Sequence, residues 1–388
     1  MHKESRRIVF QIFLFIVTFI TTTLAGGEWA YGRSVFIADY SWKDFTNGMA
    51  FSVPLLLILT VHEFGHYFVA MYHKVKASLP YYIPIPPIPF LPFFSIGTFG
   101  AVIRLRSRPY SNVQNFDIGL AGPLAGFVVA VLLLIYGFAT LPPVDYVFQF
   151  HPEYEKFGAD YAEHVYNPEY MKAQKAFIDV KIGKNLLFLI AESFVDDPSR
   201  IPNSRELMHY PLLLAVYISL FITSLNLLPI GQLDGGHVVY GMFGFKKHKI
   251  IASIFFVAIM FYAGLGNPYI QLSLPQGELL FNTILYTLFL FFAFTGLGLK
   301  RRDTIMYVLV MVALQFLLMV LMPGIEGYSG WLLLGFLLGR FIGVQHPPSE
   351  IEQPLDSKRI LLGWITLIVF ILCFSPAPIQ LEAFIEQQ

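Results

Sequence analysis

Long apolar stretches separated by short polar ones set the architecture of this chain. Runs long enough to span a bilayer, or nearly so, occur at about 8–25, 49–70, 118–141, 211–229, 250–266, 278–299, 304–323, 330–344 and 360–376, and a bilayer core needs about 20 apolar residues per helix. The pattern predicts an all-α polytopic membrane protein of about nine transmembrane segments. Basic residues fix an expected orientation. With Lys3, Arg6 and Arg7 in the cytoplasm, the even-numbered connections also fall inside. These carry Lys74, Lys76, Arg104, Arg106 and Arg108, then Lys246, Lys247 and Lys249, then Lys300, Arg301 and Arg302, then Arg340, Lys358 and Arg359. The short outer connections at 267–277 and 324–329 contain neither Lys nor Arg, as the positive-inside rule requires. The N-terminal run, with basic residues ahead of it, reads as an uncleaved first membrane helix rather than a signal peptide.

Two stretches break the apolar rhythm. Residues 142–210 are polar, mixed in charge and rich in Tyr and Glu; they are expected to form an external loop or small subdomain, partly helical over 168–195. Between 80 and 92 lie Pro80, Pro84, Pro86, Pro87, Pro89 and Pro92, which exclude a helix. The residues after them, Ser95 to Arg104, read as a short strand or hairpin. The chain divides into an N-terminal segment and loop (1–48), a central region (49–245) and C-terminal segments (246–388).

Composition agrees. The chain has 388 residues, 56% of them hydrophobic and 13% charged, against about 25% charged in an ordinary soluble domain. Its formal net charge is zero, which gives no basic footprint for nucleic acid. The single cysteine, Cys373, lies in an apolar run; it has no intrachain disulfide partner and is expected to be a small buried hydrophobe.

Chemistry enters at Val61-His62-Glu63-Phe64-Gly65-His66, inside the second apolar run. Two histidines four apart share one helix face and can hold one metal ion, with Glu63 placed as base on a metal-bound water. Imidazole and carboxylate ligands with an open position suit zinc. An ionisable cluster at bilayer depth is costly and marks function. Catalytic zinc sites have three protein ligands, and the third is sought in Asn226-Leu227-Leu228-Pro229-Ile230-Gly231-Gln232-Leu233-Asp234-Gly235-Gly236-His237. Pro229 should end or kink the fourth segment, the paired glycines should permit a sharp turn beside Asp234, and Asp234 is the expected ligand, with His237 as the competitor. Gly119, Gly122 and Gly126, with Ala121 and Ala125, form a small-residue helix face on which another helix can pack closely.

In these motifs the chain resembles the site-2 protease family of intramembrane zinc metalloproteases. His62-Glu63-x-x-His66, Asn226-x-x-Pro229 with Leu233-Asp234-Gly235, and Ala121-Gly122-Pro123 with Gly126 match in order and spacing over roughly 49–245. The resemblance implies a three-helix core, one zinc ion per chain held by His62, His66 and Asp234, and Glu63 as general base. It further implies that Asn226 assists the substrate or reaction intermediate, and that the segment at 78–106 is a membrane-re-entrant β element. A strand edge at Gly97, Thr98, Phe99 and Gly100 would then hold an extended substrate by strand addition. The expected function is hydrolysis of peptide bonds in transmembrane protein substrates, within or near the bilayer. A catalytically silent relative that binds membrane proteins is the alternative. The expected setting is a prokaryotic cytoplasmic membrane, with the N-terminus and the opening of the active site facing the cytoplasm.

Overall fold

The computed structural model describes residues 2–88, 95–172, 176–267 and 270–385. Its helices, in chain order, are α1 (His2–Tyr31), α2 (Trp42–Tyr72), α3 (Asn112–Ala139), α4 (Tyr161–Val165), α5 (Pro168–Lys172), α6 (Leu186–Glu192), α7 (Pro211–Asn226), α8 (Asp234–Gly264), α9 (Gln276–Phe294), α10 (Arg301–Leu321), α11 (Gly330–Leu337) and α12 (Ser357–Cys373). Four strands, β1 (Tyr81–Pro84), β2 (Thr98–Val102), β3 (Ala176–Ile182) and β4 (Ile379–Ile385), form two antiparallel pairs, β1 with β2 and β3 with β4. Among the described residues six helices are long and apolar enough to cross a membrane: those starting at Glu4, Trp42, Asn112, Asp234, Gln276 and Arg301. The expected segments at 211–229 and 330–344 form shorter apolar helices, and the one at 360–376 is the 17-residue α12. The expected fifth segment is the distal part of α8, which bends at Gly244, where φ is +76°.

The chain divides into two compact units, Met1–Arg108 with Ala121–Leu225 and Ile368–Gln388, and Pro109–Leu120 with Asn226–Leu367. In the first, α1 and α2 cross on small residues. A Cβ on Gly26 would lie 2.6 Å from the Gly48 carbonyl oxygen, and one on Gly48 would lie 2.0 Å from that of Thr23. The Thr23 and Ser52 hydroxyls hydrogen-bond at 2.8 Å beside the crossing. This explains why α1 runs on to Tyr31 through Gly26 and Gly27, beyond the apolar run: backbone contact offsets the weak helix propensity of glycine. The connection is therefore shorter than the expected 26–48 loop. A capping box of Ser41 and Asp44 starts α2.

The expected hairpin forms: β1 pairs with β2 through Tyr81–Val102, Tyr82–Ala101 and Pro84–Thr98, with an irregularity between Tyr82 and Pro84. Pro89 and Pro92 lie outside the described residues. The hairpin is tied to α1. The Gln11 side-chain amide donates to Leu79 O at 2.6 Å, Thr21 Oγ1 to Gly97 O at 2.6 Å and Trp29 Nε1 to Ser95 O at 3.1 Å. Gly97 sits at φ +86°, and a Cβ there would lie 2.3 Å from the Thr22 backbone, so the position requires glycine.

The polar segment 142–210 holds 3-10 turns, the short helices α4 to α6 and β3, which extends the expected partly helical reading. β3 pairs with β4 over seven residues, Ala176–Ile385 through Ile182–Ile379. The Tyr217 hydroxyl on α7 donates to the carbonyls of Gly183 and Pro378 at 2.7 Å each, holding the same junction. No strand was expected at 142–210 or in the tail. Cys373 is fully buried, as expected.

In the second unit, the connection after α11 wraps the start of α8. The Tyr240 hydroxyl donates to Glu352 Oε1 at 2.7 Å and accepts from Ser349 N at 2.8 Å. Asn112 exchanges two 2.8 Å hydrogen bonds with Gln353. Arg359 donates to both carboxylate oxygens of Asp117 at 2.8 Å, the bidentate geometry that arginine supplies best.

Candidate metal centre

Helix α2 carries the motif two turns from its C-terminal end. His62, Glu63 and His66 are 4%, 6% and 7% exposed, and the helix around them, from Phe51 to Tyr72, carries no other Asp, Glu, His, Lys or Arg. The four-residue spacing brings the imidazoles together as expected: their Nε2 atoms are 3.1 Å apart and the rings meet edge to face. Two nitrogens this close could both reach one cation.

Helix α3 forms the other wall. Gly65 meets α3 so closely that a Cβ would lie 2.6 Å from the Ala121 carbonyl oxygen. At Gly122 a Cβ would lie 2.2 Å from His66 Nε2, whereas at Gly126 it would lie 3.1 Å from His62 Cβ. The small-residue face is thus more than a packing surface. Gly122 leaves open the space that the His66 ring occupies.

The second motif forms a turn and a helix start. α7 ends at Asn226, and α8 begins at Asp234 after a turn in which Gly231 takes φ +56°. The turning glycine is therefore Gly231, not the expected pair. Gly235 and Gly236 are helical and serve close approach: a Cβ on Gly235 would lie 2.0 Å from Leu227 O, and one on Gly236 would lie 2.3 Å from Gly231 O. Any side chain there would push the first turn of α8 away and move Asp234 with it.

His62 and His66 supply two imidazoles in the first unit, and Asp234 supplies a carboxylate at the start of α8 in the second. Two imidazoles and a carboxylate, with one coordination position left over, are the donor set of a catalytic zinc. His237, the competing candidate, has another partner. Its Nδ1 lies 2.8 Å from Nε2 of His346, whose own Nδ1 donates to Pro347 O at 2.5 Å. His346 also stacks on Tyr240 at 4.2 Å, which gives the His346-Pro347-Pro348 turn a structural role.

Glu63 has a neighbour that the sequence did not reveal. Tyr82, on β1, shares a 2.7 Å hydrogen bond with Thr60, one turn before the motif. Among the lower-ranked positions, Asn226 sits at the end of α7. Thr98 is buried, its hydroxyl donating to Ile83 O at 2.9 Å. Gly100 has φ +95°, and Phe99 projects outward, 78% exposed. Among the described residues β2 pairs with β1 alone, so its outer edge has no strand partner.

Comparison with known proteins agrees with this geometry. The chain is 30% identical over 239 residues to probable zinc metalloprotease EGY1, chloroplastic, of Arabidopsis thaliana, covering 61% of this chain and 36% of that protein. To the Oryza sativa subsp. japonica protein of the same name it is 30% identical over 223 residues, 58% of this chain and 32% of the other. To probable zinc metalloprotease EGY2, chloroplastic, of Arabidopsis thaliana it is 26% identical over 200 residues, 52% and 30% respectively. The chain thus spans about a third of the length of these relatives. All three are named as chloroplastic plant proteins, which lends no support to the expected prokaryotic membrane. No solved structure matches significantly. The sequence profile of peptidase family M50 matches residues 50–265, a stretch that holds both metal motifs and the Gly122 face between them, and the chain belongs to that family, the site-2 protease family of zinc metalloproteases.

Proposed function

We propose that the protein is an intramembrane metalloprotease that hydrolyses peptide bonds of transmembrane protein substrates within or near the bilayer. The observation that carries this is the buried His62-Glu63-x-x-His66 motif in a helix of membrane-spanning length. His62, His66 and Asp234 hold the zinc. When bound, zinc acidifies water and polarises a carbonyl oxygen. Glu63 takes the proton of the attacking water and returns it to the leaving amine. Asn226 lends a hydrogen bond to the developing oxyanion. Tyr82 and Thr60, bonded to each other beside Glu63, fix the wall of the site on the β1 side.

The substrate must present an extended backbone, because a helix shields its carbonyls with its own hydrogen bonds and side chains. Among the described residues β2 has β1 as its one strand partner, and we take its other edge, at Gly97, Thr98, Phe99 and Gly100, as the place that can add such a segment. Irregular backbone at membrane depth is tolerated where protein satisfies it, and Gln11, Thr21 and Trp29 do so for this hairpin. This supports a re-entrant element at 78–106. The basic residues of the connections orient the N-terminus and the opening of the site toward the cytoplasm.

The deciding experiment measures zinc content and cleavage of a reporter transmembrane substrate in lipid, for wild type and Glu63→Gln. Wild type should hold zinc and cleave, and Glu63→Gln should hold zinc without cleaving. A wild-type protein that neither binds zinc nor cleaves in any lipid would instead be a silent binder of membrane proteins.

A further inference from the structure

We propose that His151, Glu206 and His209 form a second site for a divalent transition metal, of which zinc fits best, in the polar segment 142–210. The proposal is independent of the protease reading, since none of these residues belongs to the metal motifs. Their ligand atoms all lie within 4.8 Å of one another. His151 Nε2 and His209 Nε2 are 3.2 Å apart, and each lies 3.6 Å from Oε2 of Glu206. Around a tetrahedral zinc with ligands at about 2.0–2.1 Å, neighbouring ligand atoms are about 3.3 Å apart. The three atoms thus already form one face of such a tetrahedron.

The surroundings fix each donor. His209 Nδ1 lies 2.7 Å from Ala30 O, and a carbonyl can only accept, so Nδ1 carries the proton and Nε2 presents a lone pair. His151 Nδ1 faces Glu153 Oε1 at 3.5 Å, which turns its Nε2 lone pair inward likewise. The Tyr166 hydroxyl donates to Glu206 Oε1, leaving Oε2 buried with no hydrogen-bond partner. Backbone-carbonyl and carboxylate partners on the distal ring nitrogen are the usual support of metal-binding histidines. Glu206 and His209 flank a 3-10 turn at Leu207–His209, where residues three apart eclipse, so the turn aims both side chains the same way. Three lone-pair atoms in mutual contact, with 1% of the Glu206 side chain exposed, repel one another unless a cation lies between them.

Two imidazoles select a borderline metal such as zinc over calcium or magnesium, which take oxygen ligands. The three residues line a cavity of about 380 Å³ with Trp29, Tyr166 and Arg205, leaving a fourth position open to water or another small ligand. A metal here would clasp residue 151 to the 206–209 turn and, through Ala30, to the end of α1.

The test is a zinc count on full-length protein, stripped with chelator, dialysed against zinc chloride and washed. Wild type should bind two equivalents, His66→Ala one, His151→Ala or Glu206→Gln one, and His66→Ala/His151→Ala none. One equivalent in wild type, lost in His66→Ala and kept in His151→Ala, overturns the proposal: the three residues then share a proton instead of a metal. One equivalent lost in His151→Ala and kept in His66→Ala would sustain this site while removing the metal from the protease reading. If the variants do not fold, cobalt titration of wild type decides. Two saturating equivalents are expected, and a single equivalent overturns the proposal.

Discussion

Replacing Gly122 by alanine should remove zinc from the protease site while leaving the helices assembled. The new methyl carbon would lie 2.2 Å from His66 Nε2, 2.4 Å from Cδ2 and 2.6 Å from Cε1. Ordinary contact between such atoms is about 3.5 Å, so the ring must move by about 1.3 Å. Zinc–ligand distances tolerate about 0.2 Å, so a displacement several times larger loses the ligand. Changes to supporting residues around metal ligands cost about 10–100-fold in metal affinity, and loss of a ligand should exceed the upper end. Folding should survive, because the atoms that must move are the tip of a side chain. Overpacking of this kind costs about 1–3 kcal/mol, partly offset by the gain of about 1 kcal/mol in helix propensity on replacing glycine. Gly126→Ala is the control. Its methyl would meet His62 Cβ at 3.1 Å, a shift of a few tenths of an ångström, and zinc affinity should fall by less than about 10-fold. The assay is chelator competition for zinc on purified protein, with thermal unfolding alongside. A folded Gly122→Ala protein with wild-type zinc affinity would refute the assignment of His66 Nε2 as a ligand atom.

Asp234→Ala should lower zinc affinity at the α2 site by more than about 100-fold, since loss of a ligand exceeds the cost of losing a supporting residue, whereas His237→Ala should leave it unchanged; the same competition assay reads both, and the reverse order would make His237 the ligand. Phe99→Pro or Ala101→Pro should lower cleavage of the reporter substrate at least tenfold with zinc content intact, since proline within β2 disrupts the strand that would pair with substrate. Unchanged cleavage would exclude strand addition at β2.

The metal motif was legible because its chemistry and its periodicity coincide: two histidines at helical spacing have one geometric consequence, and α2 realises it in the 3.1 Å nitrogen separation. Asp234 was legible as a residue but not in its setting. Sequence reading placed the turn at the paired glycines, yet Gly231 turns the chain and Gly235 and Gly236 pack against carbonyls, a distinction that composition does not carry. Ile178-Asp179-Val180-Lys181-Ile182 and Ile379-Gln380-Leu381-Glu382-Ala383 each alternate apolar with polar residues, a strand signal the sequence does carry, but the β3–β4 pairing joins residues about 200 apart, and only tertiary structure could reveal that. His151, Glu206 and His209 were missed for the same reason. Glu206-x-x-His209 gives a local hint of a shared face, but its partner lies 58 residues from His209.

The role of α1 follows from where its polar side chains go. The family profile begins at residue 50, so nothing in the match assigns α1 a function. Yet its Thr21 hydroxyl donates to Gly97 O at 2.6 Å, at the residue that begins the proposed substrate strand, and Gly97 itself fits only because it has no side chain beside Thr22. Valine at position 21 keeps the shape and removes the donor. The Gly97 carbonyl keeps a second donor, Ile85 N at 3.0 Å, so the change costs one hydrogen bond, about 0.5–1.5 kcal/mol, and β2 can lift from α1, which shifts the outer edge against which substrate would pair. Thr21→Val should therefore reduce cleavage by about two- to tenfold through the substrate term, since about 1.4 kcal/mol is a factor of ten, with zinc affinity unchanged because no ligand moves. Measuring kcat/KM and zinc binding on the same preparation separates the two. Equal loss of zinc and cleavage would place α1 in support of the metal helix, through its crossing at Gly26 and Gly48, rather than of the strand.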